Sequence, residues 1–178
     1  MKKVVSMLAL LLTAVSAMAG ADAGEKTVEM FEATKDGGGA PVGVVVISSG
    51  TNGLLFRLAL TGMKPMSMHG FHIHANPSCA PAEKKGEMVP ALGAGSHWDP
   101  EGVGKHAGPT GDGHLGDLPR IEADAEGRIE GTISVPRLSD LNRLAGHALI
   151  LHAGADNYAD SPKKLGGGGA RMFCGVIR

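Results

Sequence analysis

Short stretches of alternating or β-branched apolar residues, separated by glycine and polar residues, run along most of the chain. Such stretches are typical of β-strands with one buried face. We predict eight strands, at residues 26–33, 41–48, 53–60, 71–75, 119–123, 128–135, 148–152 and 170–177. Only 138–144 has a helical pattern, with Ser139 and Asp140 as candidate caps, and its short length indicates a connector. The pattern therefore predicts an all-β fold.

Glycine and asparagine concentrate between the predicted strands, as at 36–39, 49–53 and 125–127, where a positive φ costs glycine little. We therefore expect antiparallel hairpins in a Greek-key barrel or sandwich. A chain of 178 residues fits one domain, and its 3% aromatic content with 28 Gly and 10 Pro disfavours a helical bundle. Its 17 basic and 18 acidic residues exclude a basic surface for nucleic acid.

The first 19 residues have the pattern of a cleaved signal peptide. Lys2 and Lys3 precede an apolar run at 4–15, and Ala17-Met18-Ala19 offers the small residues of a cleavage site. The alternative is a membrane anchor, but the apolar run is shorter than the roughly 18 residues that a spanning helix needs. Cleavage would leave one domain at 20–178 with 15 basic and 18 acidic residues, exported and free of the membrane.

Export changes the interpretation of the two cysteines, Cys79 and Cys174. In an oxidising compartment a lone pair of cysteines usually forms a disulfide, so we expect one between them. The alternative is two free buried thiols.

Two long segments lack a strand or helix pattern. The long loop covers 76–118 and the second loop covers 153–169. Loops of this length within a compact domain are usually functional or disordered. Both loops lead into predicted strands, and we expect them to wrap one site.

The eight histidines exceed what packing requires, and their spacing indicates a metal site. His72 and His74 are two residues apart on a predicted strand, so both imidazoles point to one face while Ile73 points to the other. His152 ends another apolar strand, where a neutral buried imidazole is the alternative. A second set lies within the long loop, where solvated side chains are the alternative: His97, His106, His114 and Asp117. Three imidazoles and one carboxylate suit tetrahedral zinc.

Five motifs follow one another along the chain. They are Gly-Phe-His-Ile-His at 70–74, Gly-Ser-His-Trp-Asp-Pro at 95–100, Lys-His-Ala-Gly-Pro at 105–109, His-Leu-Gly-Asp-Leu at 114–118 and Gly-Ala-Arg-Met-Phe-Cys-Gly-Val-Ile at 169–177. Together they resemble the copper/zinc superoxide dismutases, and 75–79 with 156–169 is similar to the bacterial periplasmic branch. The resemblance implies a periplasmic enzyme with an eight-stranded, immunoglobulin-like Greek-key barrel or sandwich, whose two long loops wrap a metal site.

The resemblance also implies the ligands of one copper and one zinc per chain. The copper ligands would be His72, His74, His97 and His152. The zinc ligands would be His97, His106, His114 and Asp117. His97 would then bridge the two ions, and zinc would order the long loop.

The implied activity is disproportionation of superoxide to oxygen and hydrogen peroxide, which protects the cell envelope. His97 would also deliver a proton to the nascent peroxide. Arg171 matches the arginine that attracts and orients the anion. Asp156 matches the carboxylate that hydrogen-bonds to one copper histidine and one zinc histidine.

Other functions stay open at this point. A metal-handling protein could use the same ligands without turnover, although the cationic Arg171 disfavours it. A zinc hydrolase needs an open zinc position, and a purely structural sandwich leaves the histidines without a role. A homodimer is also open, and His69 and His147 are expected in surface or second-layer roles. Four lysines are candidates to attract the anion: Lys84, Lys85, Lys163 and Lys164.

Overall fold

The computed structural model describes residues 24–178, so the predicted signal peptide lies outside the described residues. The described chain consists of strands, loops and three short 3-10 helices. The strands are β1 (Glu25–Thr34), β2 (Gly37–Gly50), β3 (Gly53–Leu60), β4 (Met68–His69), β5 (Phe71–His74), β6 (Ala82–Lys84), β7 (Glu87–Val89), β8 (Ile121–Glu122), β9 (Ile129–Val135), β10 (His147–His152) and β11 (Arg171–Ile177). The 3-10 helices are Leu92–Ala94, Leu141–Leu144 and Leu165–Gly167. Across 24–178, every helix is too short or too polar to span a bilayer.

Seven strands form one antiparallel sheet in the order β5-β10-β11-β1-β2-β3-β9. The pair β4–β8 connects its two edges, because β4 immediately precedes edge strand β5 and β8 precedes edge strand β9. The sheet therefore curls into a half-barrel. After β8 and β9 the chain returns so that β10 lies beside β5, which is the strand order of a Greek key. The predicted all-β architecture is therefore confirmed.

The core fills the inside of the curled sheet. In β3 the alternate residues Leu54, Phe56, Leu58 and Leu60 are buried while Arg57 is exposed, which is the period-two pattern of a sheet with one dry face. In contrast, β10 is buried on both faces. One face packs into the barrel core and the other lies under the long loop, so β10 separates the core from the loop.

All eight predicted strands exist, and three further short strands accompany them. The structure adds β4, β6 and β7, and it reduces the predicted strand at 119–123 to the two residues of β8. The hairpin β6–β7 lies within the long loop and turns at Lys85 and Gly86, both with positive φ. Its strands are three residues long and carry charged side chains, so they show no hydrophobic alternation. The predicted helix at 138–144 is a 3-10 helix at Leu141–Leu144, capped by Asp140.

A disulfide attaches the long loop to the barrel. Cys79 of the loop is bonded to Cys174 in β11, with their Cα atoms 5.7 Å apart, which confirms the predicted pair. Cys174 also belongs to a small apolar cluster that packs the loop against β10 and β11. Its buried members are Ala91, Ala94, Ala148, Ile150 and Cys174. The long loop therefore has a fixed place on the outside of the barrel.

We expect the disulfide to contribute substantially to stability, because the two cysteines are 95 residues apart and the bond restricts a large loop of the unfolded chain. The Cys79→Ser/Cys174→Ser variant should lose about 2–5 kcal/mol of unfolding free energy, measured by urea denaturation. Reductant should lower the parent to the level of the variant and leave the variant unchanged. Equal stabilities of the oxidised parent and the variant would contradict this expectation.

Candidate metal centre

The long loop runs alongside β5, and this arrangement brings its histidines to those of the strand. The amide of Ile73 donates to the carbonyl of Gly116 at 2.9 Å, and the amide of Trp98 donates to the carbonyl of Ile73 at 2.8 Å. A side chain at Gly116 would overlap with the main chain of Ile73, so glycine is required for this close approach. Ile73 itself points into the core, as predicted, and leaves His72 and His74 facing the loop.

Four buried histidines form the first group, here called the four-histidine group: His72, His74, His97 and His152. One ring nitrogen from each lies within 4.8 Å of the others. The Nε2 atoms of His74 and His152 are 3.4 Å apart. Two nitrogens about 2.0 Å from one ion at a near-tetrahedral angle are separated by about this distance, so the group fits a metal ion.

Hydrogen bonds decide which nitrogen of each ring faces the centre of this group. Nδ1 of His74 donates to the carbonyl of Gly95 at 2.9 Å, and Nδ1 of His152 donates to that of Gly169 at 3.2 Å. Both rings therefore turn Nε2 inward. His72 is reversed, since its Nε2 donates to Asp156 and its Nδ1 is buried without a partner among the described residues.

The second group surrounds one buried carboxylate and is called the Asp117 group: His97, His106, His114 and Asp117. Nδ1 of His97 lies 2.9 Å from Oδ1 of Asp117, and Nδ1 of His106 lies 2.9 Å from Oδ2. His114 is further out, with Nδ1 3.3 Å from Oδ1. The four residues whose ligand atoms here all lie within 4.8 Å of one another include His72 in place of His114. The ring of His72 stacks on that of His97, with the ring centroids 4.0 Å apart.

Asp156 of the second loop connects the two groups. Its Oδ2 accepts from Nε2 of His72 and its Oδ1 accepts from Nε2 of His106, both at 2.8 Å. The amide of Tyr158 donates to Oδ1 as well, at 2.7 Å. Nδ1 of His106 is thereby turned toward Asp117 and lies 2.9 Å from its Oδ2.

Burial sets the charge of the four-histidine group. It lowers the pKa of His72 and His74, lowers that of His97 to about 4 and lowers that of His152 to about 3. All four rings are neutral at pH 7, and each can offer a lone pair to a cation.

The Asp117 group carries charge instead. Burial opposes ionisation of Asp117 and Asp156, but hydrogen bonds from the histidines outweigh it and hold both pKa values below the usual range. The two carboxylates in turn overcome the burial of His106 and raise its pKa to about 9. A cation that binds there must displace a proton from His106.

Arg171 lies beside the four-histidine group at the start of β11, paired with His152. Its guanidinium is half-buried and donates to the carbonyls of Ala91 and Gly95. The Gly95 carbonyl also accepts from His74, so one oxygen orients both the arginine and an imidazole. Burial lowers the pKa of Arg171, but an arginine stays charged at any physiological pH.

Several contacts of the site have little or no signature in the sequence. Buried His69 donates from Nδ1 to the carbonyl of His152 at 2.7 Å, and half-buried His147 packs on Trp98. His69 thus contacts a candidate ligand directly, whereas His147 contacts Ala75 and Trp98, which are chain neighbours of candidate ligands. Arg137 donates to the carbonyl of His114 at 3.1 Å and Asp160 accepts from the amide of His106 at 2.9 Å, and sequence reasoning missed both. The four candidate lysines are exposed.

Comparison with known proteins identifies the family. The family model for copper/zinc superoxide dismutase (SODC) matches residues 42–177. The superoxide dismutase [Cu-Zn] of Brucella abortus is 52% identical over 151 residues, which are 85% of this chain and 87% of that protein. Superoxide dismutase [Cu-Zn] 2 of Salmonella typhimurium is 47% identical over 171 residues, 96% of this chain and 98% of that protein.

A solved structure agrees with these sequence matches. The copper/zinc superoxide dismutase from Brucella abortus superimposes with a TM-score of 0.85 at 51% identity, covering 86% of this chain and 99% of that one. Sequence, fold and the two histidine groups therefore lead to the same result, and the chain belongs to the copper/zinc superoxide dismutase family.

Proposed function

We propose that the four-histidine group holds copper, that the Asp117 group holds zinc, and that His97 bridges the two ions. As a member of its family, the chain is a superoxide dismutase that uses copper and zinc. The proposal therefore concerns which residues hold each ion and what the neighbouring side chains do. His114 rather than His72 is assigned to zinc, because Nε2 of His72 is used by Asp156 and its Nδ1 belongs to the four-histidine group.

The orientation of the imidazole rings carries this proposal. In His72, His74, His106 and His152 the outward nitrogen is engaged by a carboxylate or a main-chain carbonyl, which directs the inward nitrogen toward the centre of its group. Hydrogen bonds of this kind fix the tautomer of metal-ligating histidines. The Nδ1 atom of His72 supports an ion in the four-histidine group, since this buried nitrogen has no hydrogen-bond partner among the described residues. Nδ1 of His106 supports an ion in the Asp117 group, since it lies 2.9 Å from Oδ2 of Asp117 and both atoms can bind one cation once the proton of His106 is displaced.

Zinc is assigned a structural role and copper the redox role. Three imidazoles and a carboxylate suit zinc, which has no redox chemistry and would hold the long loop in place. Copper, when bound, supplies one-electron redox chemistry that turns two superoxide anions into oxygen and hydrogen peroxide. The protein contributes a dry imidazole cage whose geometry is set by the barrel.

Arg171 is proposed to capture and orient superoxide. The mature chain is net negative, so an anionic substrate needs a local positive charge at the site. The guanidinium is held by the carbonyls of Ala91 and Gly95, the second of which also accepts from His74, and it therefore offers its charge in a fixed position.

His97 is proposed to deliver a proton to the peroxide product. Its Nδ1 lies against Asp117, so Nε2 is the atom that faces the four-histidine group and can carry this proton. A general acid must lie within hydrogen-bond reach of the atom that it protonates, and a ring at the border of the two groups meets this condition.

We propose that the enzyme acts in the periplasm, where it protects the cell envelope. The signal-peptide pattern at 1–19 and the disulfide between Cys79 and Cys174 both favour an oxidising compartment outside the cytoplasm.

The mature protein should consume superoxide at a rate that tracks its copper content, at one copper and one zinc per chain. Selective removal of copper should abolish turnover while zinc stays bound, and copper alone should restore it. Metal analysis and a superoxide-consumption assay on the same sample test this. Tight binding of both metals without turnover would indicate a metal carrier and would contradict the proposal.

Arg171→Glu should reduce turnover by about tenfold to a thousandfold, because the local attraction for the anion becomes repulsion. Copper content should be unchanged, since the side chain is not a proposed ligand. Arg57→Glu on the exposed face of β3 makes the same change in net charge and serves as the control. Unchanged turnover in Arg171→Glu, or an equal loss in the control, would exclude the proposed role.

The chain purified from a periplasmic extract should have the mass of residues 20–178. Replacing Ala17 and Ala19 by leucine should block cleavage, because signal peptidase requires small residues at these positions. Mass spectrometry of both forms measures this, and an uncut parent chain would contradict it. Light scattering on the same sample counts the chains per particle and decides between a monomer and the homodimer that the sequence left open.

A further inference from the structure

Four consecutive glycines, Gly166 to Gly169, lie at the end of the second loop. Gly166 lies against Asp156 and His106, and Gly168 lies against His152. Gly166 and Gly168 are buried. Gly166 has a φ of 67°, in the left-handed region, although it lies inside the 3-10 helix Leu165–Gly167. The run is not a flexible linker, since most of its carbonyls accept hydrogen bonds from nearby residues.

Gly166 packs against the hydrogen bond between Asp156 and His106. A methyl group placed on Gly166 would overlap with Oδ1 of Asp156 and would lie 2.5 Å from its Cγ and 2.9 Å from Nε2 of His106. These are the two ends of one hydrogen bond, which is 2.8 Å long. The main chain therefore covers this bond at a distance that leaves room for a hydrogen atom and nothing larger.

Asp156 cannot turn away from such a methyl group without losing partners. Its Oδ1 accepts from His106 and from the amide of Tyr158, and its Oδ2 accepts from His72. The carboxylate is 1% exposed, and any rotation would leave a buried polar group unpaired.

The main chain at Gly166 cannot easily retreat either. Its amide donates to the carbonyl of Ala159 and its carbonyl accepts from the amide of Asn157, both at 3.0 Å. Further along, the carbonyl of Gly168 accepts from the amide of Gly154 at 2.8 Å. The run is thus held on both sides of the carboxylate.

We propose that Gly166 is a positioning residue that acts through Asp156. Its bare main chain closes over the carboxylate and keeps water from the Asp156–His106 hydrogen bond, which is stronger in the resulting low dielectric. That bond directs Nε2 of His106 to Asp156 and Nδ1 to Asp117, so the glycine determines how well His106 is oriented for its ion. The inference rests on the proposed assignment of His106 to zinc.

Gly166→Ala and Gly167→Ala form a matched pair for the test. Gly167 also has a positive φ, of 82°, so an alanine at either position has to adopt a left-handed backbone conformation. The nearest atom to a methyl group on Gly167, however, is 3.6 Å away. Only the methyl group of Gly166→Ala overlaps with the carboxylate of Asp156. In competition with a chromophoric chelator, zinc should bind Gly166→Ala about 10–100-fold more weakly than the parent, the usual effect of losing such a partner. Gly167→Ala should stay within about twofold of the parent. Equal zinc affinities of the two variants would overturn the proposal.

A second readout does not depend on zinc. In ¹⁵N-edited NMR of the metal-free full chain, the Nε2 proton of His106 should exchange slowly with water in the parent and in Gly167→Ala. In Gly166→Ala it should exchange rapidly, and slow exchange there would overturn the proposal. If the parent shows the slow proton but binds no zinc, the ligand assignment fails while the covering role of Gly166 stands.

Removing the carboxylate tests whether Gly166 acts through Asp156. This test remains available if Gly166→Ala by itself folds poorly. Asp156→Ala should weaken zinc binding by itself, and adding Gly166→Ala should then cost less than about a further twofold, because the overlapping atoms are gone. A full additional loss in the double variant would show that Gly166 acts through the backbone alone and would overturn the inference.

Discussion

The buried carboxylate of Asp156 is the contact on which the organisation of the metal site depends. Through its hydrogen bonds to His72 and His106 it joins β5, the long loop and the second loop, which are distant in sequence. It orients one imidazole in each metal group. Because the carboxylate is ionised and buried, all its partners are needed, and loss of one leaves a polar group unpaired at a cost of about 1–3 kcal/mol.

Main-chain carbonyls orient the two imidazoles of the four-histidine group, His74 and His152, that Asp156 does not hydrogen-bond. Gly95 and Gly169 orient His74 and His152, and Gly95 also holds Arg171. These carbonyls are in place because the disulfide attaches the long loop to β11 and because β10 and β11 are neighbours in the sheet. The rigid barrel therefore fixes the positions of these carbonyls, and the carbonyls fix the orientations of the imidazoles, as expected of a preorganised metal centre.

The strands and the donor residues could be predicted because each has a local signature. Alternation along β3 indicates one buried face, and the spacing of His72 and His74 places both rings on the same side of β5. The hairpin β6–β7 could not be predicted in this way, since it is short and exposed and is positioned by the loop around it. The role of His69 was equally hidden, because its partner is a main-chain oxygen 83 residues away.

The sequence by itself determined the all-β fold, the cysteine pair, the family and the set of residues that can bind metal, because these depend on residue type and spacing. Only the tertiary structure decided which nitrogen of each imidazole faces inward and why Gly166 must lack a side chain. The reason is physical. Carbonyl oxygens are the same in every residue, and the need for an empty volume beside Asp156 arises only when the second loop closes over it.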